Sequence, residues 1–351
     1  MKVLLVSNGY PSAEYPFGSI YVKNHYERLK REKVIDIVDK HVIYRKDTSL
    51  IGTIIKYCRC YVLFTKKLFN KYDVLHLHFM SPLYLLLIIY KVFHPNCKLI
   101  VTFHGSDINE LHNKYLIWLY SKWLSKNDVA ITVGHILKIR AEKLLGITID
   151  HVLSAGYNDE YIFNINTPYS ERDIDYLFVG SFTLVKGLDL IIEAIQEIKC
   201  RDLNFTFIGT GPQKEQLIKL TSNYNVRILD GMPQSELNHY YNKSKFLIMS
   251  SENEGFGLSL TEAMACRAVG IVRDIPQLKI QIKDNVNGYV FSGIQELVEV
   301  ITKSSNLSEA EWSRLSRNGS NSSQEHSLTN VINEMTAIYN ACYQNIISNQ
   351  L

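Results

Sequence analysis

The chain has 351 residues, which is too long for one hydrophobic core and predicts two domains of roughly 150–200 residues each. Hydrophobic residues make up 46% and charged residues 21%, a composition that excludes disordered and fibrous proteins. The net charge of +3 is small for a dedicated nucleic-acid-binding protein, so we expect no nucleic-acid partner. None of the six cysteines forms a Cys-x-x-Cys pair, which leaves a zinc ribbon unsupported and favours a reducing cytoplasm.

Short apolar runs alternate with helix-length segments in the first half of the chain. The predicted strands are residues 2–7, 40–44, 74–78, 98–102, 129–133 and 151–153. Helical patterns lie between them, for example at residues 20–32 and 53–69. Strands and helices that alternate at this spacing predict a parallel sheet with right-handed crossovers.

The second half repeats this alternation. Its predicted strands are residues 176–179, 204–208, 226–229, 246–249, 268–272 and 288–291. Its predicted helices are residues 187–198, 213–221, 234–243, 259–266 and 294–303. The sequence therefore predicts an α/β protein with two doubly wound sheets, joined by a polar linker at residues 164–173. Apolar spacing in the tail, residues 327–351, predicts a terminal amphipathic helix.

The segment with the clearest chemistry runs from residue 246 to residue 267. A buried strand leads into a loop with Gly255 and Gly257 and then into a helix, whose free N–H groups favour an anion. Glu254 precedes this loop and Glu262 follows it, where open α/β sheets bind ligands. As an alternative, Ser259-x-x-Glu262 is a capping box in which Glu262 only caps the helix.

Two further turns of the second half connect a strand to a helix. Lys186 and Gly187 end the first turn, where the lysine can neutralise a phosphate; the alternative is a solvated lysine beside a turn glycine. Gly209-Thr210-Gly211-Pro212 forms the second turn, for which a purely structural role is the favoured interpretation.

The first half offers His104 and the glycine loop at Gly18-Ser19 as candidates. Each follows a predicted strand and could contact a ligand; a merely buried histidine and a plain helix cap are the alternatives. His76 and His78 share one face of a strand but lack further metal ligands, so we expect core histidines and no metal site.

Residues 45–71 form a basic, aromatic, amphipathic stretch. It could lie on an anionic membrane, or it could be an ordinary surface helix with a solvated charged face. No apolar run reaches the roughly 20 residues needed to span a bilayer, so no transmembrane helix is predicted.

These motifs, in this order, resemble glycosyltransferase family 4, a family of retaining enzymes with the GT-B architecture. The resemblance rests on the Glu-x7-Glu pattern from Glu254 to Glu262 and on Lys186-Gly187. It extends to the Gly-x-Gly-Pro turn at 209–212, to Gly18-Ser19, and to the Thr-Phe-His-Gly-Ser-Asp stretch at 102–107. It implies two Rossmann-like domains that face each other across a cleft. Residues 1–166 would bind the acceptor, residues 167–326 the nucleotide sugar, and residues 327–351 would pack back on the first domain.

The resemblance also implies a role for each site residue. Glu254 and His104 would contact the donor sugar, Lys186 the diphosphate, and Glu262 the ribose. The remaining donor-binding positions would be Gly18, Ser181, Gly209, Gly255, Phe256, Gly257, Leu258 and Ser259. Many members carry an arginine where this chain has Ser181, so Lys186 would act with less help.

The activity implied is the transfer of a hexose-type sugar, with retention, from a UDP- or GDP-linked donor. The acceptor would be a saccharide or a polyprenyl- or lipid-linked saccharide, in bacterial surface polysaccharide or glycolipid synthesis. No metal or other cofactor would be required. The protein would be cytoplasmic, with peripheral contact to the inner face of the membrane. The alternatives are a non-catalytic nucleotide-sugar-binding or scaffold subunit, which Ser181 favours, and a GT-B-type sugar-nucleotide epimerase.

Overall fold

The structure is a computed structural model that describes residues 1–12, 19–33, 35–44, 49–109, 111–124, 128–154, 159–198 and 202–348. The chain divides into two compact units. The first comprises Met1–Ala155 together with Thr329–Leu351, and the second comprises Gly156–Leu328. Among the described residues, we find no helix with the length and hydropathy that a membrane span requires.

The first unit is a six-stranded parallel sheet in the order β2-β1-β3-β4-β5-β6. Its strands are β1 (Lys2–Ser7), β2 (Ile37–Val42), β3 (Val74–His78), β4 (Lys98–Phe103), β5 (Val129–Thr132) and β6 (His151–Val152). Its helices up to residue 155 are α1 (Ile20–Glu32), α2 (Leu50–Phe64), α3 (Tyr84–Phe93), α4 (Ser106–Asn109), α5 (Lys114–Trp123) and α6 (His135–Leu145). The central strands β1 and β4 are mostly apolar, as is usual where helices cover both faces of a parallel sheet, whereas β3 carries His76 and His78.

Two predicted boundaries in this unit were wrong. The strand predicted at 40–44 is β2, which begins three residues earlier, at Ile37, and ends at Val42. The helix predicted at 53–69 is α2, which begins at Leu50 because the Ser49 side chain accepts the amide of Gly52 at 3.1 Å. It ends at Phe64 and continues as a short 3₁₀ turn, Thr65–Lys67.

The second unit is also a six-stranded parallel sheet, in the order β12-β11-β10-β7-β8-β9. Its strands are β7 (Ile174–Val179), β8 (Phe205–Ile208), β9 (Val226–Leu229), β10 (Ser244–Met249), β11 (Val269–Arg273) and β12 (Gly288–Phe291). Its helices are α7 (Leu188–Glu197), α8 (Lys214–Leu220), α9 (Gln234–Lys243), α10 (Leu258–Ala265), α11 (Pro276–Lys279), α12 (Ile294–Ser305) and α13 (Glu309–Gln324). The strand order reverses between β7 and β10, and open α/β sheets bind ligands at such a switch point.

The polar stretch at 164–173 is part of the second unit and not a free linker, so the boundary lies at 155/156 rather than 166/167. Phe163 is buried in the core of that unit. The buried guanidinium of Arg172 donates to the carbonyl oxygens of Ser244 at 2.6 Å and Cys266 at 2.8 Å. These contacts fix the polar stretch against the sheet, whereas its composition alone suggested a linker.

The terminal helix α14 (Leu328–Ser348) packs with the first unit. The hydroxyl of Tyr339 lies 2.6 Å from Nδ1 of His76 in β3. Arg28 of α1 donates to the hydroxyl of Thr329 at 2.7 Å. The tail therefore contributes side chains to the interior of the first unit.

Candidate active site

The switch point of the second unit brings two loops together that are about seventy residues apart in sequence. One loop follows β7 and ends at Lys186 and Gly187; the other follows β10 and contains Glu254. Adjacent parallel strands end at the same edge of a sheet, and β7 pairs with β10. Topology therefore places the lysine and the glutamate side by side.

Lys186 and Glu254 form an ion pair at this edge. The lysine Nζ donates to Oε1 of Glu254 at 2.6 Å, and the side chains are 30% and 10% exposed. The hydroxyl of Ser251 donates to the same carboxylate at 2.6 Å. Both charges are partly withdrawn from water, so each depends on the other more than a fully exposed pair would. The lysine is paired with a carboxylate and is not the solvated lysine of the alternative interpretation.

Gly187 allows the two loops to approach each other closely. Its φ of 62° is in the left-handed region, and a Cβ there would lie 2.1 Å from the carbonyl oxygen of Ser250. The hydroxyl of Ser250 in turn donates to the carbonyl of Lys186 at 2.9 Å. Any side chain at position 187 would push apart the loops that follow β7 and β10. A glycine is therefore needed after Lys186 for the lysine to lie beside Glu254.

Glu262 lies on α10 and is buried, with 3% exposure. Its carboxylate accepts from the Gln234 amide at 2.6 Å and from the Tyr241 hydroxyl at 2.8 Å, both on α9. Burial raises the pKa of this carboxyl to about 7, while the two hydrogen bonds act in the opposite direction. The capping-box alternative is wrong, because the helix is capped by Gly257 and Glu262 bonds to α9. Gln234 is only partly buried, so a ligand hydroxyl could reach Glu262 by taking the place of the amide.

The loop between the two glutamates ends in backbone N–H groups that have no intrahelical partner. Gly257 is the N-cap of α10, and among the described residues the amides of Leu258 and Ser259 have no acceptor. Gln281 holds this loop by donating to the carbonyl of Phe256 at 2.5 Å. Gly255 precedes these residues in the same loop. The N-terminus of the eight-residue helix α10 thus adds positive partial charge next to the loop that carries Glu254.

Gly209 and Ser181 lie in the neighbouring turns after β8 and β7. A Cβ on Gly209, whose φ is 157°, would lie 1.8 Å from the carbonyl oxygen of Gly180. The amide of Phe182 donates to the carbonyl of Thr210 at 2.8 Å, which ties the two turns together. Ser181 is exposed, and its hydroxyl lies 3.4 Å from that of Thr183. The Gly-x-Gly-Pro turn therefore has the structural role that was favoured for it, at the same sheet edge as Lys186.

In the first unit, His104 follows β4 on a loop that Asp107 holds in place. The Asp107 carboxylate accepts the amides of His104, Gly105 and Met80 at 2.9–3.0 Å. Burial raises the pKa of Asp107 to about 6, against these three hydrogen bonds. The imidazole of His104 stacks on Tyr21 with ring centroids 4.5 Å apart and also contacts the ring of Phe79 at 4.5 Å. Gly18 lies outside the described residues, and Ser19 is the N-cap of α1.

His104 belongs to a cluster of four histidines, the other three being His25, His76 and His78. His78 Nδ1 lies 3.1 Å from His104 Nε2, and the rings of His76 and His78 stack with centroids 4.2 Å apart. Burial lowers the pKa of each member, to about 3 for His25 and His104. All four are therefore neutral at pH 7, as expected for the core histidines of β3.

The cluster has ring nitrogens of three histidines within 4.8 Å of one another, a spacing that could hold a metal ion. Sequence spacing missed His25, because α1 supplies it from a distant part of the chain. However, both nitrogens of His76 already meet hydroxyls, at 2.6 Å from Tyr339 and 2.8 Å from Thr102. By contrast, His25 Nδ1, His25 Nε2 and His78 Nε2 are buried and have no hydrogen-bond partner among the described residues. The expectation that no metal binds stays a prediction, and we derive no step through a metal.

The hydrogen bond between His78 and His104 determines which nitrogen of His104 carries its proton. If His104 Nε2 were the donor, His78 Nδ1 would accept and His78 would carry its own proton on Nε2. That Nε2 atom of His78 is buried and has no hydrogen-bond partner. An orphaned buried N–H is rarer than an unused acceptor, so His78 Nδ1 donates and His104 Nε2 accepts. His104 then holds its proton on Nδ1, which is left as a neutral donor for a ligand. His78 is thus a positioning residue that the sequence offered only as a core histidine.

Phe79 is a second residue that sequence reasoning missed. Its φ of 67° is unusual for an aromatic residue, and its amide donates to the carbonyl of Thr102 at 3.0 Å. Strained backbone of this kind concentrates at functional sites. No sequence pattern marks it, because nothing in the residue type predicts a positive φ.

Two family models match the chain. The model described as Glycosyltransferase Family 4 matches residues 15–158, and the model described as Glycosyl transferases group 1 matches residues 162–321. The two matches fall one on each unit. The chain belongs to the family 4 glycosyltransferases.

Individual proteins agree with this assignment. The chain is 32% identical over 195 residues to an uncharacterized glycosyltransferase of Methanocaldococcus jannaschii; the match covers 54% of this chain and only about half, 52%, of that relative. A solved sucrose-phosphate synthase of Thermosynechococcus elongatus matches at a TM-score of 0.77 and 15% identity, over 98% of this chain and 100% of the other. HepE of Anabaena, solved in complex with UDP and glucose, matches at a TM-score of 0.71 and 12% identity, over 97% of this chain and 100% of the other. These likenesses show the fold, which is the predicted GT-B α/β fold.

The tautomer of His104 can be tested with two nearly isosteric substitutions of its hydrogen-bond partner, His78. The amide nitrogen of His78→Asn takes the place of Nδ1 and keeps the donor to His104, whereas His78→Gln places its amide where Nε2 was. We expect long-range ¹H–¹⁵N NMR to find the His104 proton on Nδ1 in the wild type and in His78→Asn, but not in His78→Gln. A wild-type spectrum with the proton on Nε2 would refute the assignment, whether or not the variants fold.

Proposed function

We propose that the chain is a retaining glycosyltransferase that transfers a hexose-type sugar from a nucleoside-diphosphate sugar, UDP- or GDP-linked, to a saccharide or lipid-linked saccharide. The observation that carries the proposal is the pair of Lys186 and Glu254 at the switch point of the second unit. HepE, which shares the fold, binds UDP and glucose, and this supports a donor of the same kind.

The leaving group of this reaction is a diphosphate whose negative charge grows as the glycosidic bond breaks. Lys186 would exchange its carboxylate partner for the diphosphate, and the free amides of Leu258 and Ser259 would share the charge. Groups directed at developing charge stabilise the transition state more than the ground state. On this proposal no divalent cation is required, because the lysine and the helix start supply the positive charge.

The sugar itself becomes oxocarbenium-like as the diphosphate leaves. Glu254, released from Lys186, would face the donor sugar and stabilise that positive charge. His104, with a neutral Nδ1–H, would donate to an oxygen of the same sugar. Glu262 would bind the ribose once a ribose hydroxyl replaces the Gln234 amide. In this way the hydrogen bonds within the protein would be exchanged for hydrogen bonds to the donor.

Peripheral contact with an anionic membrane is part of the same proposal. The exposed face of α2 carries many apolar side chains, which favours this interpretation over an ordinary surface helix; Leu50 and Ile51 are 78% and 72% exposed, and Ile54, Ile55, Val62 and Leu63 are exposed as well. Apolar surface on a helix that also carries Lys56 and Arg59 is typical of helices that lie in a membrane interface. A lipid-linked acceptor would be reached from that surface.

Replacement of Lys186 tests the role of the switch-point cation. We expect Lys186→Ala to lower kcat by about 10²–10³-fold, as for the loss of one donor to a developing negative charge. Lys214→Ala is the matched control, because Lys214 also pairs with a carboxylate at 2.6 Å, that of Asp230, in the same unit. Equal rates for the two variants in a donor-consumption assay would remove Lys186 from the site.

The stereochemical outcome tests the retaining mechanism. A thermal-shift panel of nucleotide sugars identifies the donor, and NMR then identifies the anomer of the first-formed product. We expect the product to keep the configuration of the donor sugar. An inverted anomer would contradict the mechanism, and donor binding without any turnover would favour a non-catalytic subunit.

A further inference from the structure

The loop between the two glutamates is bonded to a buried glutamine, Gln281, which follows α11. Gln281 is 4% exposed, and its side-chain Nε2 donates to the carbonyl of Phe256 at 2.5 Å. The backbone carbonyl of Gln281 accepts the side-chain amide of Asn287, another buried residue, at 2.9 Å. Gln281 is therefore fixed to the interior of the second unit by its backbone and to the loop by its side chain.

The bond to Gln281 sets the direction of one backbone N–H group, that of Gly257. The peptide between Phe256 and Gly257 is trans, so its carbonyl and its N–H point in opposite directions. Because the carbonyl points at Gln281, the N–H points away from it. Gly257 is buried, and within the described part of the chain its N–H has no acceptor. Orphaned buried N–H groups are rare, so this one indicates an acceptor on a ligand.

A glycine at position 257 leaves this peptide free to turn unless another group holds it. The φ of Gly257 is 93°, in the left-handed region that glycine adopts readily. Its own carbonyl accepts the amides of Leu260 at 3.1 Å and Thr261 at 3.4 Å, so helix α10 fixes the peptide that follows Gly257. The helix places no such restraint on the preceding peptide. The hydrogen bond from Gln281 supplies that restraint.

The side chain of Phe256 is held by a different contact. Its ring packs edge to face against the imidazole of His326, with the ring centroids 4.8 Å apart. This contact restrains the ring but does not set the direction of the Phe256 carbonyl. Loss of the Gln281 donor should therefore leave the loop packed in place and free only the peptide to turn.

The Oε1 atom of Gln281 indicates a role beyond the stability of the fold. This atom is buried and has no hydrogen-bond partner among the residues that the structure describes. An unsatisfied buried acceptor lowers the stability of a folded protein, and such a group in a native structure calls for a functional explanation. An apolar side chain of the same length would avoid the loss of stability.

We propose that Gln281 is a positioning residue for sugar transfer, which directs the Gly257 N–H at the diphosphate of the donor. The inference rests on the proposed function and adds a third backbone donor to the amides of Leu258 and Ser259. A hydrogen bond to a growing negative charge stabilises the transition state more than the ground state. Because Gln281 fixes the peptide beforehand, the N–H need not turn as the glycosidic bond breaks.

Gln281→Met tests this role, because methionine matches the length of glutamine and cannot donate to the Phe256 carbonyl. With the nucleotide sugar that the thermal-shift panel identifies, we expect kcat to fall about 10-fold and the KM of the donor to change little. The loss is smaller than for outright removal of a donor, since the Gly257 N–H remains but can turn away. The unfolding temperature should not fall, because the unsatisfied Oε1 is removed as well.

Gln213→Met is the matched control. Gln213 is also buried in the second unit, at 5% exposure, and neither polar atom of its side chain has a partner in the described ranges. The same substitution there removes a buried amide without removing the bond to Phe256. We therefore expect this variant to keep the kcat of the wild type.

Gln281→Glu tests the hydrogen bond through its chemistry. A protonated carboxyl can donate to the Phe256 carbonyl, whereas an ionised carboxylate cannot. Burial raises the pKa of a carboxyl above its ordinary value. We expect the kcat of this variant, divided by that of the wild type at the same pH, to rise as the pH is lowered through that pKa.

Unchanged kcat in Gln281→Met would overturn the inference, as would an equal loss of kcat in Gln213→Met. A loss that comes with a lowered unfolding temperature would also overturn it, because Gln281 would then serve the fold, and so would a pH-independent ratio for Gln281→Glu. The wild type separates these failures from that of the proposed function. If the wild type consumes no nucleotide sugar, the proposed function fails, whereas turnover by the wild type with an unaffected Gln281→Met defeats this inference alone.

Discussion

The candidate site depends on one interaction, the ion pair between Lys186 and Glu254 at the point where the strand order of the second sheet reverses. Neither charge is fully solvated, and 68 residues separate them in sequence. The pair exists because β7 and β10 are neighbours and because Gly187 admits the carbonyl of Ser250 at a distance that no side chain would permit. On the proposed function, an anionic ligand that binds the lysine competes with the glutamate for its charge. The proposed function has the carboxylate released from the lysine when the ligand binds.

In both units, burial and hydrogen bonds inside the protein together set the charge state of the site residues. Glu262 is bonded to Gln234 and Tyr241, and His104 is bonded to His78. Burial raises the pKa of Glu262 to about 7 and lowers that of His104 to about 3, so each group is prevented from carrying an unpartnered charge in an apolar environment. A ligand that supplies hydroxyl groups can replace these partners without an uncompensated desolvation.

The parallel strands and the switch-point motifs could be predicted from the sequence, because buried strands are continuous apolar runs and strand ends carry the glycines. Helix α13 could not, since its sequence is rich in serine and asparagine and contains Gly319. It is helical because Trp312 and Leu315 are buried and because its small residues pack against α10, with Gly319 close to Met264. The hydrogen-bond partners of Glu262 and His104 could not be predicted from the sequence either, because they lie on other helices and strands and only tertiary packing brings them close.

The central claim is that the switch-point cation binds a diphosphate while its carboxylate partner turns to the sugar. A crystal structure of the chain with an intact nucleoside-diphosphate sugar would test it most directly. We predict Lys186 Nζ within hydrogen-bonding distance of a diphosphate oxygen, with the Glu254 carboxylate no longer paired to it and directed at the sugar. A nucleotide sugar bound elsewhere, with the ion pair intact, would contradict the account.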